Sequence, residues 1–385
     1  MTTTTATPSV YTRANPFKAR LTANYTLNGE GSAKDTRHIV INLGGSDISY
    51  KPGDALGVFP RNPPRLVDEL LPHLGLDAGT MVSQPTGPVS LRDLLITQYS
   101  LNRVSKKFVK AVAERLHEGE KKKELTEIVG NDPAFDDYIF TRDYVDVLAE
   151  YPMSFTAEEF LPLANKIAPR LYSIASSPKA HPGEVHLTVA VVNYHTHGRI
   201  KYGLASGFLA HVQAPHVPEL PVYIQATKHF HMPPPDAKMI MVGPGTGIAP
   251  FRSFLEEREI EGAKGENWLF FGDQKRKCDF LYEEEFAEFE RKGILHRLHT
   301  AFSRDQEQKI YVQDRMRENG AELWKWLQEG AYFYVCGDAK RMAKDVHQAL
   351  IDIAQQHGGK TPEAAREYIE VQFAKTEKRY LKDVY

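Results

Sequence analysis

The stretch that most constrains the fold lies between residues 239 and 261. An apolar run, Met239-Ile-Met-Val242, leads into Gly243-Pro-Gly245-Thr-Gly247-Ile-Ala-Pro250 and then into helical spacing over 251–261. A strand, a glycine-rich turn and a helix in that order is the context of a phosphate-binding turn. Glycine lets backbone N–H groups come close to a phosphate at a helix start. The spacing is Gly-x-Gly-x-Gly closed by proline, not Gly-x-Gly-x-x-Gly, and the same residues would also make a tight turn without a ligand. The rhythm continues downstream. Strands are expected at 238–242, 267–271, 295–301 and 331–336, and helices at 251–261, 283–292, 312–320, 339–356 and 362–374. Alternation of this kind predicts a doubly wound parallel sheet with helices on both faces over residues 236–385.

Upstream the texture is different. Residues 17–59 alternate apolar and polar in short runs broken by turn clusters such as Asn28-Gly-Glu-Gly31, an antiparallel β pattern. Helical spacing takes over at 66–71, 104–117 and 157–167. Beta character returns at Arg170 and again over 184–194. A helical block, 63–167, is therefore inserted into a β domain made of 15–62 and 168–232. Pro233-Pro-Pro235 closes that domain, and residues 1–14 read as a flexible tail.

With 385 residues there is room for two or three domains. A net charge of -2 argues against a nucleic-acid-wide basic field. No apolar run approaches the ~20 residues of a membrane helix, and the Thr-rich start lacks the features of a signal peptide. The two cysteines, Cys278 and Cys336, are far apart, which points to a reducing cytoplasm and no metal site. His195-Thr-His197 and His229-Phe-His231 have no third ligand nearby and read as surface histidines.

Four further segments carry chemistry. In Arg170-Leu-Tyr172-Ser173-Ile-Ala-Ser-Ser177, a guanidinium can fork onto pyrophosphate oxygens and a ring two residues on can stack on an isoalloxazine. The same run would also serve as an ordinary half-buried strand. Gly203-Leu204-Ala205-Ser206 opens a helical pattern, either as a phosphate-approaching turn or as a plain helix start. Ser303, Arg304, Lys309 and Tyr311 follow the third strand of the downstream domain. A hydroxyl, two cations and a ring there suit an adenosine 2′-phosphate, though an exposed polar loop looks the same. Cys336-Gly-Asp338 ends the fourth strand, and the chain closes on Asp383-Val-Tyr385.

Taken with Tyr50-Lys-Pro-Gly-Asp54, Trp268-Leu-Phe-Phe-Gly272 and Tyr334-Val-Cys-Gly-Asp338, these motifs resemble the ferredoxin–NADP reductase superfamily. Within it they are most similar to the diflavin reductases, and in particular to the assimilatory sulfite reductase flavoprotein. The likeness runs from about residue 15 to the end. It implies an antiparallel FAD-binding β-barrel, an inserted helical connecting domain and a parallel-sheet NADP-binding domain. It implies FAD held by Arg170, Tyr172, Ser173, Thr188, Ala190, Tyr194, Gly203, Leu204, Ala205, Ser206 and Tyr385. It implies NADPH held by Gly245, Thr246, Ser303, Arg304, Lys309, Tyr311, Gln313 and Asp338. Ser173, Cys336 and Asp383 would surround the hydride path, and Tyr385 would shield the flavin. The family's N-terminal FMN domain has no counterpart here, so a separate acceptor is expected: a flavodoxin-type FMN protein, a ferredoxin or a sulfite reductase haem subunit. The start at Met1 favours a natural stand-alone chain over a fragment. The expected activity is NADPH-dependent flavin reduction, with a ferredoxin or flavodoxin reductase unrelated to sulfite, or a non-catalytic docking subunit, as alternatives.

Overall fold

The computed structural model describes residues 9–85, 87–211 and 219–385. The first eight residues of the expected tail, and 212–218 of the expected β domain, lie outside the described residues. The chain divides into two compact units, Met1–Gly57 with Leu171–Ala190 and Gln213–Tyr385, and Val58–Arg170 with Val191–Val212.

Six strands, β1 (Phe17–Thr26), β2 (Thr36–Asn42), β3 (Ala55–Val58), β4 (Arg170–Ser173), β5 (Glu184–Ala190) and β6 (Leu220–Gln225), lie in the order β4-β3-β6-β1-β2-β5. β1 is antiparallel to β2 and β6, and β2 to β5. Just past β4, an antiparallel bridge from Ile174 to Leu187 and a bond from Ala175 N–H to the His186 carbonyl (2.8 Å) join the two edges. The sheet thus closes on itself and leaves no long edge open. Its interior is filled by the alternate residues that the sequence pattern offers, among them Leu21, Ile39, Ile41, Leu56, Val185, Leu187 and Val222, all buried.

Five parallel strands follow: β7 (Met239–Val242), β8 (Asn267–Asp273), β9 (Arg297–Phe302), β10 (Tyr332–Gly337) and β11 (Tyr380–Val384), in the order β9-β8-β7-β10-β11. All four residues of central β7 are fully buried. Ile240 and Val242 enter one core with Trp268, Phe270 and Leu350, whereas Met239 and Met241 enter another with Phe251, Phe254 and Phe286. A strand covered on both faces has to be apolar throughout, which is what this run shows.

Some elements differ from expectation. Strand β11 was not foreseen: Tyr-Leu-Lys-Asp-Val has no apolar alternation of its own, and its form comes from pairing with Phe333–Gly337. A helix at Gly320–Gln328 was also missed. The helix expected at 362–374 is α-helical over Pro362–Glu367 and widens to a π-helix over Tyr368–Thr376. The helix expected over 157–167 runs only from Ala157 to Phe160, with one tighter turn to Leu163. Pro162 lacks the N–H that would extend it.

The second unit is helical, with helices Pro64–Leu74, Leu91–Thr97, Lys106–Arg115, Glu120–Gly130, Asp132–Phe140 and Tyr144–Glu150 around Leu70, Leu94, Phe108, Val112, Tyr144 and Phe160. A hairpin, Asn193–Thr196 with Arg199–Tyr202, is fixed to these helices by charge. Arg199 meets Asp143 and Glu69, each at 2.8 Å, and the buried Lys201 ammonium meets Asp146. Asp143 is at the same time the N-cap of the helix that follows it. Removing one member of such a set would strand a buried charge.

Candidate functional site

The carboxyl ends of β7, β8, β9 and β10 lie side by side, because the strands are parallel and adjacent. Beyond β7 the chain makes a tight turn at Gly245–Ile248 and enters the helix Ala249–Glu261. Gly245 has φ +57°, and a side-chain carbon on Gly247 would lie 2.1 Å from the Cys336 carbonyl oxygen. Both positions therefore require glycine. The helix has no acidic residue in its first turn, so its amide end is open to an anion. These residues fit a pyrophosphate.

Beyond β9, Ser303 donates its N–H (2.9 Å) and hydroxyl (3.3 Å) to the Asp273 carbonyl. Arg304 and Lys309 are exposed, and neither has an ion-pair partner among the described residues. Tyr311 precedes the helix Val312–Glu318, in which Gln313 is half-buried. The Asp338 carboxylate accepts from the N–H groups of Arg341 (2.7 Å) and Met342 (3.1 Å), which open the next helix. Those bonds hold its carboxyl below the usual range.

Ser173, Cys336 and Asp383 come from β4, β10 and β11 and meet. The Ser173 hydroxyl donates to Asp383 Oδ2 (2.7 Å), and Cys336 Sγ is 3.8 Å from the same oxygen. Burial, reinforced by the Asp383 charge, pushes the Cys336 thiol well up, so it stays protonated. Tyr385 is not frayed. Its N–H donates to Gly337 and its carbonyl accepts from Ala339, both at 3.1 Å. Its phenol lies 3.1 Å from the Thr246 hydroxyl in the glycine turn, and its ring is more than half exposed.

Tyr172 is half-buried and Ala190 exposed. Thr188 is buried and shares its hydroxyl with Tyr282 (2.7 Å), on the face of β5 opposite Val185 and Leu187. In the helical unit Arg170 is exposed and has no partner among the described residues. Gly203 N–H is bonded to the Val192 carbonyl (2.8 Å) and the Ser206 hydroxyl accepts from Val192 N–H (3.1 Å). This fixes the start of the helix Leu204–His211, whose first turn carries no acid. An unpaired guanidinium and an open amide end in one unit fit a second pyrophosphate, and Tyr194 is half-buried in the same unit.

Sequence reasoning missed a polar seam. Arg252 donates to the Ala175 carbonyl (2.7 Å), Ser253 to the Ser176 carbonyl (2.8 Å), and Glu256 accepts from Ser177 N–H (2.7 Å). The end of the Arg170–Ser177 motif is thus clamped to the helix after the glycine turn. Polar residues spaced along an otherwise apolar helix were the available signal. A second network was also missed: His38 bonds to Tyr282 (2.9 Å) and to His186 (3.2 Å), and His181, Glu184 and His186 bring possible metal-binding atoms within 4.8 Å. Burial pushes His38 and His186 down to about 3.

A closed antiparallel barrel followed by a parallel sheet, with two separate anion-ready helix starts, defines a two-dinucleotide oxidoreductase architecture. Residues 10–208 match the FAD binding domain family and residues 241–348 the oxidoreductase NAD-binding domain. The chain belongs to the FAD binding domain family and carries both modules of a flavoprotein reductase. It is 44% identical over 381 residues to the sulfite reductase (NADPH) flavoprotein alpha-component of Bacillus subtilis (strain 168), covering 98% of this chain and 62% of that protein. It is 46% identical over 378 residues to the protein of the same name from Vibrio cholerae serotype O1 (strain El Tor Inaba N16961), covering 98% and 60%. The chain therefore spans about three fifths of the length of the curated relatives it matches. No helix among the described residues is long and apolar enough to cross a membrane.

Proposed function

We propose that this chain is the FAD and NADPH module of a flavoprotein reductase that serves a separate electron acceptor. The observation that carries the reading is the meeting of Ser173, Cys336 and Asp383, three distant segments converging on one carboxylate oxygen at the carboxyl edge of the nucleotide-type sheet. When bound, FAD accepts hydride from the nicotinamide and releases electrons one at a time. The protein's part is to place and to stabilise. The turn 243–250 holds the pyrophosphate of NADPH, and Ser303, Arg304, Lys309 and Tyr311 hold its adenosine end. In the helical unit, Arg170, Tyr194 and the helix start at Gly203–Ser206 would hold FAD. Asp383, fixed by the Ser173 hydroxyl, favours positive charge growing on the nicotinamide. Cys336 stays a neutral thiol beside it and competes for no charge. The Tyr385 ring, held near the glycine turn by Thr246, would shield the flavin.

The relatives' names point to sulfite reduction, and on that reading the acceptor is a sulfite reductase haem subunit or a flavodoxin-type FMN protein serving one. The test mixes the FAD-loaded protein with NADPH under anaerobic conditions. It then offers separately a sulfite reductase haem subunit, a flavodoxin and a ferredoxin. Bleaching of the 450 nm flavin band followed by electron delivery to the haem subunit or to flavodoxin is expected. No bleaching would reject the reductase reading, and delivery to ferredoxin alone would reject the sulfite assignment.

A further inference from the structure

The glycine turn brings amides to a pyrophosphate but no charge. No Lys or Arg lies between residues 243 and 250, and Arg252 is occupied by Glu256 and Glu285. A cation arrives there from an unexpected place. Lys34, in the turn between β1 and β2 on the barrel, reaches Asp273, the last residue of β8, and pairs its ammonium with Oδ1. The Asp273 side chain is 1% exposed, whereas Lys34 keeps 34%.

The position of Asp273 is telling. A side-chain carbon on Gly245 would lie 4.0 Å from its Oδ2, while its carbonyl takes both bonds from Ser303. It therefore stands between the turn after β7 and the cation-rich segment after β9. Oδ1 also accepts from Gln274 N–H (2.6 Å), and Oδ2 is buried with no partner among the described residues. The Lys34 loop is also firmly held. Asn28 and Ser32 both donate to Asp279 (2.9 and 2.5 Å), and Gly29 N–H donates to the Cys278 carbonyl (2.8 Å). A flexible lysine stem is thus anchored at its base by the loop and at its tip by a buried carboxylate. That arrangement pre-pays the ordering a phosphate contact needs.

We propose that Lys34 is the cation that binds the pyrophosphate of the nicotinamide dinucleotide, and that Asp273, paired with the Lys34 ammonium, is its positioning residue. This rests on the reductase reading above and adds to it a residue from the barrel. Pyrophosphate is common to NADPH and NADH, so Lys34 acts on both, unlike a residue that reads the 2′-phosphate.

The test uses the FAD-loaded full chain, as wild type, Lys34→Met, Lys34→Arg and Asp273→Asn, with NADPH, NADH and inorganic pyrophosphate as competitor. In Lys34→Met the KM for both nucleotides should rise by the same factor, about tenfold, with kcat within about twofold. Inhibition by pyrophosphate should weaken in parallel. Lys34→Arg should restore most of the affinity, and Asp273→Asn should shift KM the same way by a smaller factor. A Lys34→Met protein with unchanged KM values and a lower melting temperature would show a purely structural ion pair. A KM rise confined to NADPH would overturn the pyrophosphate assignment. A wild-type protein reduced by neither nucleotide would defeat the function reading itself, a result separable from both.

Discussion

At the scale of single residues, the charges at the carboxyl edge of the parallel sheet are, on the reading proposed above, the groups that select the dinucleotide. Arg304 and Lys309 have no ion-pair partner among the described residues, and Ser303 beside them is half-buried. Each charge-assisted bond to a 2′-phosphate contributes ~1.5–3 kcal/mol. Ser303→Ala with Arg304→Ala should therefore cut kcat/KM for NADPH by roughly tenfold or more and leave NADH little changed. Steady-state kinetics with both nucleotides check this, and equal losses would remove these residues from phosphate recognition. Tyr385 belongs to the same scale. Its backbone is tied at both N–H and carbonyl and its phenol meets Thr246, so its ring is a placed group. Tyr385→Ala should raise NADH use relative to NADPH and alter the flavin's visible spectrum, since a stacked ring contributes about 0.5–1.5 kcal/mol beyond burial. An unchanged spectrum with an unchanged cofactor ratio would contradict the cover role.

At the scale of elements, close backbone approach sets the turn after β7. A methyl on Gly247 would collide with the Cys336 carbonyl at 2.1 Å, and backbone can give way only by moving β10. Gly247→Ala should destabilise the protein by about 1–3 kcal/mol. It should lower NADPH-driven flavin reduction more than it lowers flavin content, as measured by melting temperature and flavin stoichiometry. Strands β2 and β5 carry a different liability. His38 and His186 titrate at about 3 when folded, against about 6.5 when unfolded. The unfolded chain therefore binds more protons below pH 6.5. The stability that these groups confer is full above that pH and is lost progressively as pH falls toward 3. Melting temperature should decline across that window, and the decline should be shallower in His38→Gln, whatever its offset at pH 7.5. Parallel slopes for the two proteins would contradict the linkage.

At the scale of the whole molecule, two anion-ready helix starts and one hydroxyl–carboxylate–thiol cluster imply one FAD and one nicotinamide dinucleotide per chain. Flavin extracted from the purified 385-residue chain and resolved by chromatography should be FAD at about one per chain, without FMN; stoichiometric FMN would contradict this. Much of the architecture was legible in sequence. The runs 239–242 and 268–271 are apolar because a central parallel strand is covered on both faces, and the glycine turn follows from the short distance between Gly247 and Cys336. The convergence of Ser173, Cys336 and Asp383 was expected only through a family resemblance, since nothing in local spacing relates residues that far apart. The sequence alone determined where strands and helices alternate, where the helical block interrupts the β domain, and which residue types were on hand for phosphates. These depend on hydrophobic period and turn chemistry, which are local. Only the tertiary structure decided that Tyr380–Val384 is a strand, that Asp338 caps a helix, that Thr188 bonds to Tyr282, and that Lys34 reaches Asp273 across 239 residues of sequence. Each of those depends on which segments pack together, and the pairing partner, not the residue's neighbours in the chain, supplies the free energy that fixes it.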